Sequence, residues 1–283
     1  MSAETVIRAM TAADIPAAMR LREIAGWNQN EADWHRFLEI EPEGCFVACR
    51  LERVVGTVTT LGYEKRFGWV GMVLTDPEVR RQGIGSRLLE RGIEHLEAAG
   101  VETVKLDATP MGRPVYLPRG FADEYGIERW EGTAPGGARR TLPQMPEEQL
   151  ERVCRWDRTI FGADRSRLLA CLWRENPRYS ALVEEAGEIA GYVLGRAGAR
   201  AHYLGPWIAT SGKAAKALLR EFLGRVAGEA VYVDVCLRNP DGRALVEQHG
   251  FAFQRPLTRM FRGPNRHPGA PERVCGIAGP ELG

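Results

Sequence analysis

The stretch Arg80-Arg81-Gln82-Gly83-Ile84-Gly85 joins an apolar run, Trp69-Val70-Gly71-Met72-Val73-Leu74, to a helical pattern that begins near Ser86. A strand, a short basic turn with two glycines and a helix together suit a pyrophosphate. The glycines let the backbone approach a ligand closely, and the first N–H groups of the helix and its dipole attract negative charge. The sequence therefore predicts an anion-binding turn over residues 80–86.

Two other glycine motifs fit this stretch less well. Gly83-Ile84-Gly85-Ser86-Arg87-Leu88 is similar to a dinucleotide-binding fingerprint that lacks its third glycine. That fingerprint needs a parallel strand–helix–strand unit near the start of the chain, whereas two helices and an antiparallel-looking meander come first here. A Walker loop is excluded because no Gly-Lys-Ser/Thr follows.

The composition limits the classes of partner. The 283 residues are enough for two modest domains, and the net charge of +1 gives no electrostatic reason to expect nucleic acid or an anionic membrane. No apolar run approaches the roughly 20 residues that cross a bilayer, and the first residues lack the form of a signal peptide. The six cysteines show no metal-ligand spacing. We therefore expect a soluble, cytoplasmic protein without a bound metal.

The hydrophobic periodicity and the turn residues predict a mixture of strands and helices. In the first half we expect, in order, a strand at 5–8, two helices, a meander over 45–75, a helix ending near Gly100, a strand over 101–107, a short helix over 112–119 and a strand ending near Trp130. A Gly- and Pro-rich linker at 134–145 then separates a domain at 1–133 from one at 146–283.

The second half repeats the order of the first. Leu218-Leu219 and Gly250-Phe251 stand 130 positions after Leu88-Leu89 and Gly120-Phe121. The strand that ends at Asp234 corresponds to the strand that ends at Asp107, with a shift of three residues. We interpret the chain as a tandem duplication of one fold.

The two copies differ where ligand chemistry is expected. Lys213 stands opposite Gly83, Ala215 opposite Gly85, and Val246 opposite Tyr116. A Cβ in place of the first glycine would crowd a pyrophosphate, and valine has no proton to donate. We therefore expect the second copy to be degenerate, with a structural or acceptor-shaping role.

The turn and Tyr116 together resemble the GNAT superfamily of acyl-CoA-dependent N-acyltransferases. The superfamily's acyl-CoA loop is written Arg/Gln-x-x-Gly-x-Gly/Ala, and its general-acid tyrosine lies four positions before a Gly-Phe pair, as Tyr116 does before Gly120-Phe121. The resemblance implies an α/β fold of two tandem GNAT-like domains, each a mixed, mostly antiparallel, splayed sheet flanked by helices. It covers residues 5 to 130 well.

The resemblance also implies the chemistry. Such enzymes move an acetyl group from acetyl-CoA to an amine by direct attack through a tetrahedral intermediate. A backbone N–H near Met72, Val73 and Leu74 would meet the thioester oxygen, and Tyr116 would protonate the thiolate. The residues implied to hold the cofactor in the basic loop are Arg80, Arg81, Gln82, Gly83, Ile84, Gly85 and Ser86.

Two positions depart from the family pattern. Many GNAT sequences carry an asparagine on the loop after the strand of Asp107; this chain has Ala108-Thr109-Pro110-Met111, so Thr109 is the candidate substitute. The glutamate that serves some relatives as general base is absent from the strand of Met72. Asp107 could take the proton, although a structural role is at least as plausible because Asp234 occupies the same place in the second copy. His35 and Glu64 are weaker candidates.

The acceptor expected is the primary amine of a small molecule, with a monomer or homodimer as the assembly. Two alternatives stay open: a non-catalytic acyl-CoA sensor or scaffold, and an enzyme that acetylates protein N-termini or lysines. The latter predicts an open, extended groove, whereas a cleft closed by the second half favours a small molecule.

Overall fold

The computed structural model describes residues 4–136 and 141–283. The elements of the first half follow in chain order: β1 (Thr5–Ala9), α1 (Ile15–Ala25), α2 (Glu31–Ile40), β2 (Cys45–Arg50), β3 (Arg53–Tyr63), β4 (Phe67–Thr75), α3 (Ile84–Ala98), β5 (Val104–Ala108), α4 (Arg113–Tyr116) and β6 (Ala122–Thr133). Those of the second half are α5 (Leu150–Phe161), α6 (Ser166–Glu175), β7 (Ala181–Glu185), β8 (Glu188–Arg196), β9 (His202–Ala209), α7 (Gly212–Arg225), β10 (Ala230–Cys236), α8 (Pro240–Gln248), β11 (Ala252–Arg262) and β12 (Val274–Gly276).

The expected fold class, a mixed α/β structure of two related halves, is confirmed, but the two sheets are continuous. The strands of the described residues form one 12-stranded sheet in the order β1-β2-β3-β4-β5-β11-β6-β10-β12-β9-β8-β7. Its pairs are antiparallel except for β4 with β5 and β9 with β10. The sequence analysis did not predict β7, and it did not predict that the sheets join.

The halves join because each lends its last long strand to the other. Strand β6 of the first half pairs with β10 of the second, and β11 of the second pairs with β5 of the first. These two strands also pair with each other in the middle of the sheet. The division into domains at residues 1–133 and 146–283 stays a prediction. It describes the repeat along the sequence, whereas in the structure each half has a strand paired into the other half.

A buried ion pair crosses each of these exchanged pairings. Arg129 on β6 lies opposite Asp234 on β10, and its Nε donates to that carboxylate at 2.8 Å. Arg259 on β11 lies opposite Asp107 on β5, with two hydrogen bonds of 2.9 Å. The two arginines stand 130 positions apart, the offset of the duplication. Each half therefore neutralises a buried carboxylate of the other.

The helices pack on both faces of the sheet. On one face, α1 and α2 share a hydrophobic core with α5 and α6, which contains Trp34, Phe37 and Leu168. On the other face, α3 and α7 each lie over a core of their own. Since one core contains helices of both halves, burial of apolar surface also holds the halves together.

The parallel strand pairs of the two halves differ in how they open. In the first half β4 and β5 are paired only at Gly68 with Val104 and at Trp69 with Lys105 among the described residues, and then they separate. In the second half β12 fills the corresponding gap, because it pairs with β9 on one side and with β10 on the other. Within the described residues, the gap between the two parallel strands therefore stays open only in the first half.

The linker, the cysteines and the lengths of the helices bear on three further expectations. The linker is anchored at both ends by backbone hydrogen bonds. The Ala134 N–H donates to the Glu229 carbonyl, and the Met145 N–H donates to the Ser180 carbonyl. Residues 137–140 of the linker lie outside the described residues. All six cysteines are free thiols. No helix in the described parts of the chain is both long and apolar enough to span a bilayer. The cytoplasmic location stays a prediction.

The exchanged ion pairs give a test of what holds the halves together. Asp234→Asn should lower the free energy of unfolding by about 3–5 kcal/mol, because it leaves the Arg129 guanidinium buried without its counter-charge. Urea denaturation of the full chain measures the change. Asp123→Asn is the matched control, since Asp123 also binds an arginine, Arg113, but at the surface; it should change stability little. Equal effects of the two substitutions would contradict a special role for the exchanged pair.

Candidate active site

The basic glycine turn has the backbone expected of an anion site. Asp76 caps a short 3-10 turn at Pro77–Val79 by accepting the N–H of Glu78, and the chain then passes through left-handed conformations at Arg81 and Gly83. Gly83 is the residue before α3, and a Cβ added there would meet nothing within 4 Å. The space beside Gly83 is therefore open to a ligand rather than filled by protein.

The first turn of α3 directs unused donors toward this space. The helix bond closest to its start runs from the Arg87 N–H to the Gly83 carbonyl at 3.0 Å. The N–H groups before Arg87 have no acceptor inside the helix, as at every helix start. Together with the positive end of the helix dipole, they suit the oxygens of a pyrophosphate.

An outer cavity of about 310 Å³ follows this turn. Its lining includes most of the residues predicted to hold the cofactor: Val73, Arg80, Arg81, Gly83, Ile84, Gly85, Ser86 and Tyr116. Gln82 points elsewhere, since its side-chain oxygen accepts a hydrogen bond from Arg50 at 2.9 Å. Leu74 is buried in the core on the opposite face of the sheet. Basic side chains, the open space beside Gly83 and the free N–H groups at the start of α3 together fit the diphosphate of an acyl-CoA.

The β4 strand carries a bulge where the splay opens. Thr57 and Thr59 on β3 face Leu74 and Gly71, so that Met72 and Val73 both lie opposite Val58. Met72 has a φ of 50°, which a non-glycine residue rarely adopts, and the Thr57 hydroxyl holds its carbonyl at 2.7 Å. The bulge turns this part of β4 toward the gap, where Val73 lines both cavities of the site.

Tyr116 lies where the two cavities meet. Its side chain lines the outer cavity and also an inner cavity of about 170 Å³. The ring packs against Phe121 at 5.9 Å between centroids, and a Cβ at Gly112 would lie only 3.0 Å from it. Burial raises the pKa of the Tyr116 hydroxyl, and no group in residues 4–136 or 141–283 hydrogen-bonds it. The hydroxyl is therefore protonated at neutral pH and available to a ligand.

The inner cavity is built from both halves of the chain. The first half provides Trp27, Gln29, the bulged part of β4, and the loop after β5; the second half provides Arg255, Leu257, Pro280 and Glu281. Arg129, on the strand that the first half lends, also lines it. The sequence analysis missed Gln29, Gly71, Arg255 and Glu281. Only Gly71 carried a signal, because glycine inside a strand often marks a close approach of another backbone.

The predicted base, Asp107, lines the inner cavity, but Arg259 binds both of its carboxylate oxygens. Burial raises the pKa of the Asp107 carboxyl even though the positive charge of Arg259 opposes it. Thr109 also lines the inner cavity, and its hydroxyl accepts the N–H of Gly112 at 3.1 Å. The weaker candidates lie elsewhere: His35 is exposed beside Glu31, and Glu64 binds Arg158.

The corresponding positions of the second half have other roles. Lys213 is exposed and pairs with Glu185 at 3.5 Å. Ala215 is fully buried, and its carbonyl accepts the indole N–H of Trp207. Val246 is fully buried in the core beneath α7 and α8. The strand β12 also occupies the splay between β9 and β10.

The site can be compared with known proteins. Residues 15–121 match the model of the acetyltransferase (GNAT) family, and residues 153–276 match a second acetyltransferase (GNAT) domain model. The chain is 24% identical over 264 residues to a holothin acyltransferase of a Pseudoalteromonas species, covering 91% of this chain and 87% of that protein.

Solved structures share the whole fold. A candidate acetyltransferase from Pyrococcus horikoshii superposes with a TM-score of 0.82 at 23% identity, over 99% of this chain and 96% of the other. A GCN5-related N-acetyltransferase from Sphaerobacter thermophilus gives a TM-score of 0.68 at 19% identity, over 92% and 95%. These structures show the fold, and the two acetyltransferase (GNAT) models together match most of the chain. The protein is therefore an acyltransferase of the GNAT family, with two domains of that family in tandem.

Proposed function

We propose that the protein transfers an acetyl group from acetyl-CoA to the primary amine of a small molecule, with the chemistry in the first half. The observation that carries this proposal is the meeting of two cavities at Val73 and Tyr116. One cavity suits a nucleotide diphosphate, and the other is lined by polar groups from both halves. When bound, acetyl-CoA supplies the acyl group, which passes to the amine by direct attack through a tetrahedral intermediate as the thiol leaves.

The outer cavity binds the cofactor in this proposal. Arg80 and Arg81 provide positive charge, and the N–H groups at the start of α3 bind the diphosphate oxygens. Val73 lies on the bulge of β4 and lines both cavities, and its N–H would stabilise negative charge on the carbonyl oxygen of the acyl group. Tyr116 holds a proton at its hydroxyl for the departing sulfur.

A small acceptor is favoured over a protein chain. The inner cavity holds only about 170 Å³ and is closed on one side by residues of the second half, whereas a peptide acceptor would need an extended groove. The Pseudoalteromonas relative is named for the acceptor holothin. A small-molecule amine suits a cavity of this size.

The second half has lost cofactor binding in this proposal. Strand β12 fills the gap that a pantetheine arm would need, and Lys213 and Val246 replace the open glycine and the tyrosine. Its contribution is to complete the inner cavity through Arg255, Pro280 and Glu281.

Gly83→Glu tests the cofactor site. The new carboxylate would enter the open space beside the turn and repel the diphosphate, so CoA affinity measured by calorimetry should fall at least 100-fold. Gly228→Glu is the matched control, because Gly228 has a similar left-handed φ of 83° and the same free space around a Cβ but lies outside both cavities. Unchanged CoA affinity in Gly83→Glu would remove the turn from the site.

Tyr116→Phe tests the proton donor. The substitution keeps the ring packing and removes only the hydroxyl, so kcat for amine-dependent thiol release should fall by about 10²-fold or more while CoA affinity is maintained. Tyr232→Phe removes a hydroxyl outside both cavities and should leave kcat unchanged. An undiminished kcat in Tyr116→Phe would show that Tyr116 is not the proton donor.

A further inference from the structure

We propose that Glu281 is the group that receives the acceptor amine and takes its proton. The inference deepens the proposed function and rests on it. The amine nitrogen must lose a proton before it can attack, since an alkylammonium has a pKa of about 10.4 and no free lone pair. Glu281 is contributed by the second half, in a segment for which the sequence provides no motif.

The position of Glu281 beside the bulge is the first support. A Cβ built on Gly71 would lie 2.8 Å from the Cβ of Glu281 and 2.9 Å from its Cα, so only glycine permits this approach. Gly71 directly precedes the bulge that directs β4 into the splay. Glu281 therefore lies against the strand where the acyl carbon is expected.

Neighbouring contacts fix the segment that carries Glu281. The indole N–H of Trp69 donates to the Pro280 carbonyl at 2.9 Å, and the Tyr63 hydroxyl donates to the Leu282 carbonyl at 2.7 Å. Both donors belong to the meander of the first half. The glutamate is thus held on both sides by rigid strands, as a group that must meet a substrate requires.

The two carboxylate oxygens of Glu281 differ in their partners. Oε1 accepts a hydrogen bond of 2.6 Å from Arg196, whereas Oε2 is buried and has no hydrogen-bond partner in the described parts of the chain. The side chain is only 4% exposed and lines the inner cavity. A buried carboxylate oxygen that lacks a hydrogen-bond donor lowers the stability of the protein. We therefore infer that the substrate brings the donor for Oε2.

A second unused acceptor lines the same cavity. The Oε1 atom of Gln29 is buried without a hydrogen-bond partner within residues 4–136 and 141–283, and its side chain is 6% exposed. A carboxylate oxygen and an amide oxygen together match the N–H donors of an ammonium group. The unpaired acceptors therefore favour a primary amine over a hydroxyl, which offers one donor only.

Asp107 fits this role less well. Both of its oxygens already accept hydrogen bonds from Arg259, so an incoming ammonium would compete with a buried bidentate ion pair. The same arrangement recurs at Asp234 with Arg129, where a tyrosine, Tyr203, also binds the carboxylate. Asp107 is thus one of two equivalent structural pairs, and Glu281 is the carboxylate with a free oxygen.

The proton balance of the step is complete with these groups. The amine nitrogen forms a bond to the acyl carbon, the carbon–sulfur bond breaks, and the sulfur leaves with the proton of Tyr116. An alkylammonium loses two protons in becoming a neutral amide. Glu281 takes the first before the attack, and the second leaves the nitrogen of the tetrahedral adduct and restores the proton of Tyr116. Glu281 then releases its proton to solvent, so no metal, oxidant or reductant is needed.

Several charged and titratable groups surround Glu281. Arg196 binds Oε1 and is itself bound to Asp33, while Arg129 and Arg255 lie close enough to interact electrostatically. Tyr63 and Tyr203 also interact with this carboxylate.

Glu281→Gln tests the inference, because glutamine preserves the shape and the bond to Arg196 but cannot accept the proton. With methylamine, benzylamine and glycinamide as acceptors, kcat for thiol release from acetyl-CoA should fall by about 10²-fold at pH 7. The loss should shrink as the pH approaches the pKa of the amine, because the acceptor then arrives neutral. CoA affinity should stay as in the wild type. Glu221→Gln, at an arginine-bound buried glutamate outside both cavities, is the matched control.

A binding measurement separates the outcomes. Calorimetry without acyl-CoA should detect weaker binding of the same amines to Glu281→Gln than to the wild type. Amine binding that depends on Glu281 without any thiol release would support the site and refute acyl transfer to these amines. Thiol release that Glu281→Gln leaves unchanged, or lowers equally at every pH, would overturn the inference while acyl transfer stands. A wild type that neither binds nor acylates any of the three amines would overturn both.

Discussion

The exchange of β6 and β11 between the two halves is the constraint on which the rest of the structure depends. Each strand brings an arginine to a carboxylate that the other half buries, so neither half can satisfy its own charges. The exchange also sets the walls of the site. Because β11 lies beside β5, side chains of the second half reach the cavity at which the first half presents its bulged strand.

The two copies of the fold have used the same opening differently. In the first half the gap between β4 and β5 remains available and is joined to a basic turn. In the second half β12 fills the gap, and the chain then continues across to the first half, where Pro280 and Glu281 contact Trp69 and Gly71. One segment therefore closes the opening of the second copy and completes the cavity of the first.

The sequence predicted the elements that depend on local patterns. The glycine turn, the amphipathic helices and the duplication follow from spacing and periodicity, and Tyr116 follows from the resemblance to the GNAT pattern. Apart from β7, the structure has the helices, strands and turn where they were expected. The joined sheet could not be predicted, because either partner would satisfy the strands' hydrophobic pattern equally well. Gln29 and Glu281 were missed for a related reason: they approach the cavity through tertiary packing and carry no local signal. Asp107 was proposed from its strand end, and only the structure reveals the arginine that binds it.

The arrangement of the two halves is like that of a symmetric dimer in which each subunit places a C-terminal strand in the sheet of the other. In such a dimer every substitution appears twice, so a change that improves one site alters the other in the same way. Fusion into a single polypeptide removes that coupling. Residues that line the inner cavity from the second copy, such as Arg255 and Glu281, can then change while the basic glycine turn of the first copy stays intact. Under the proposed function, the tandem arrangement would let acceptor choice evolve separately from cofactor affinity.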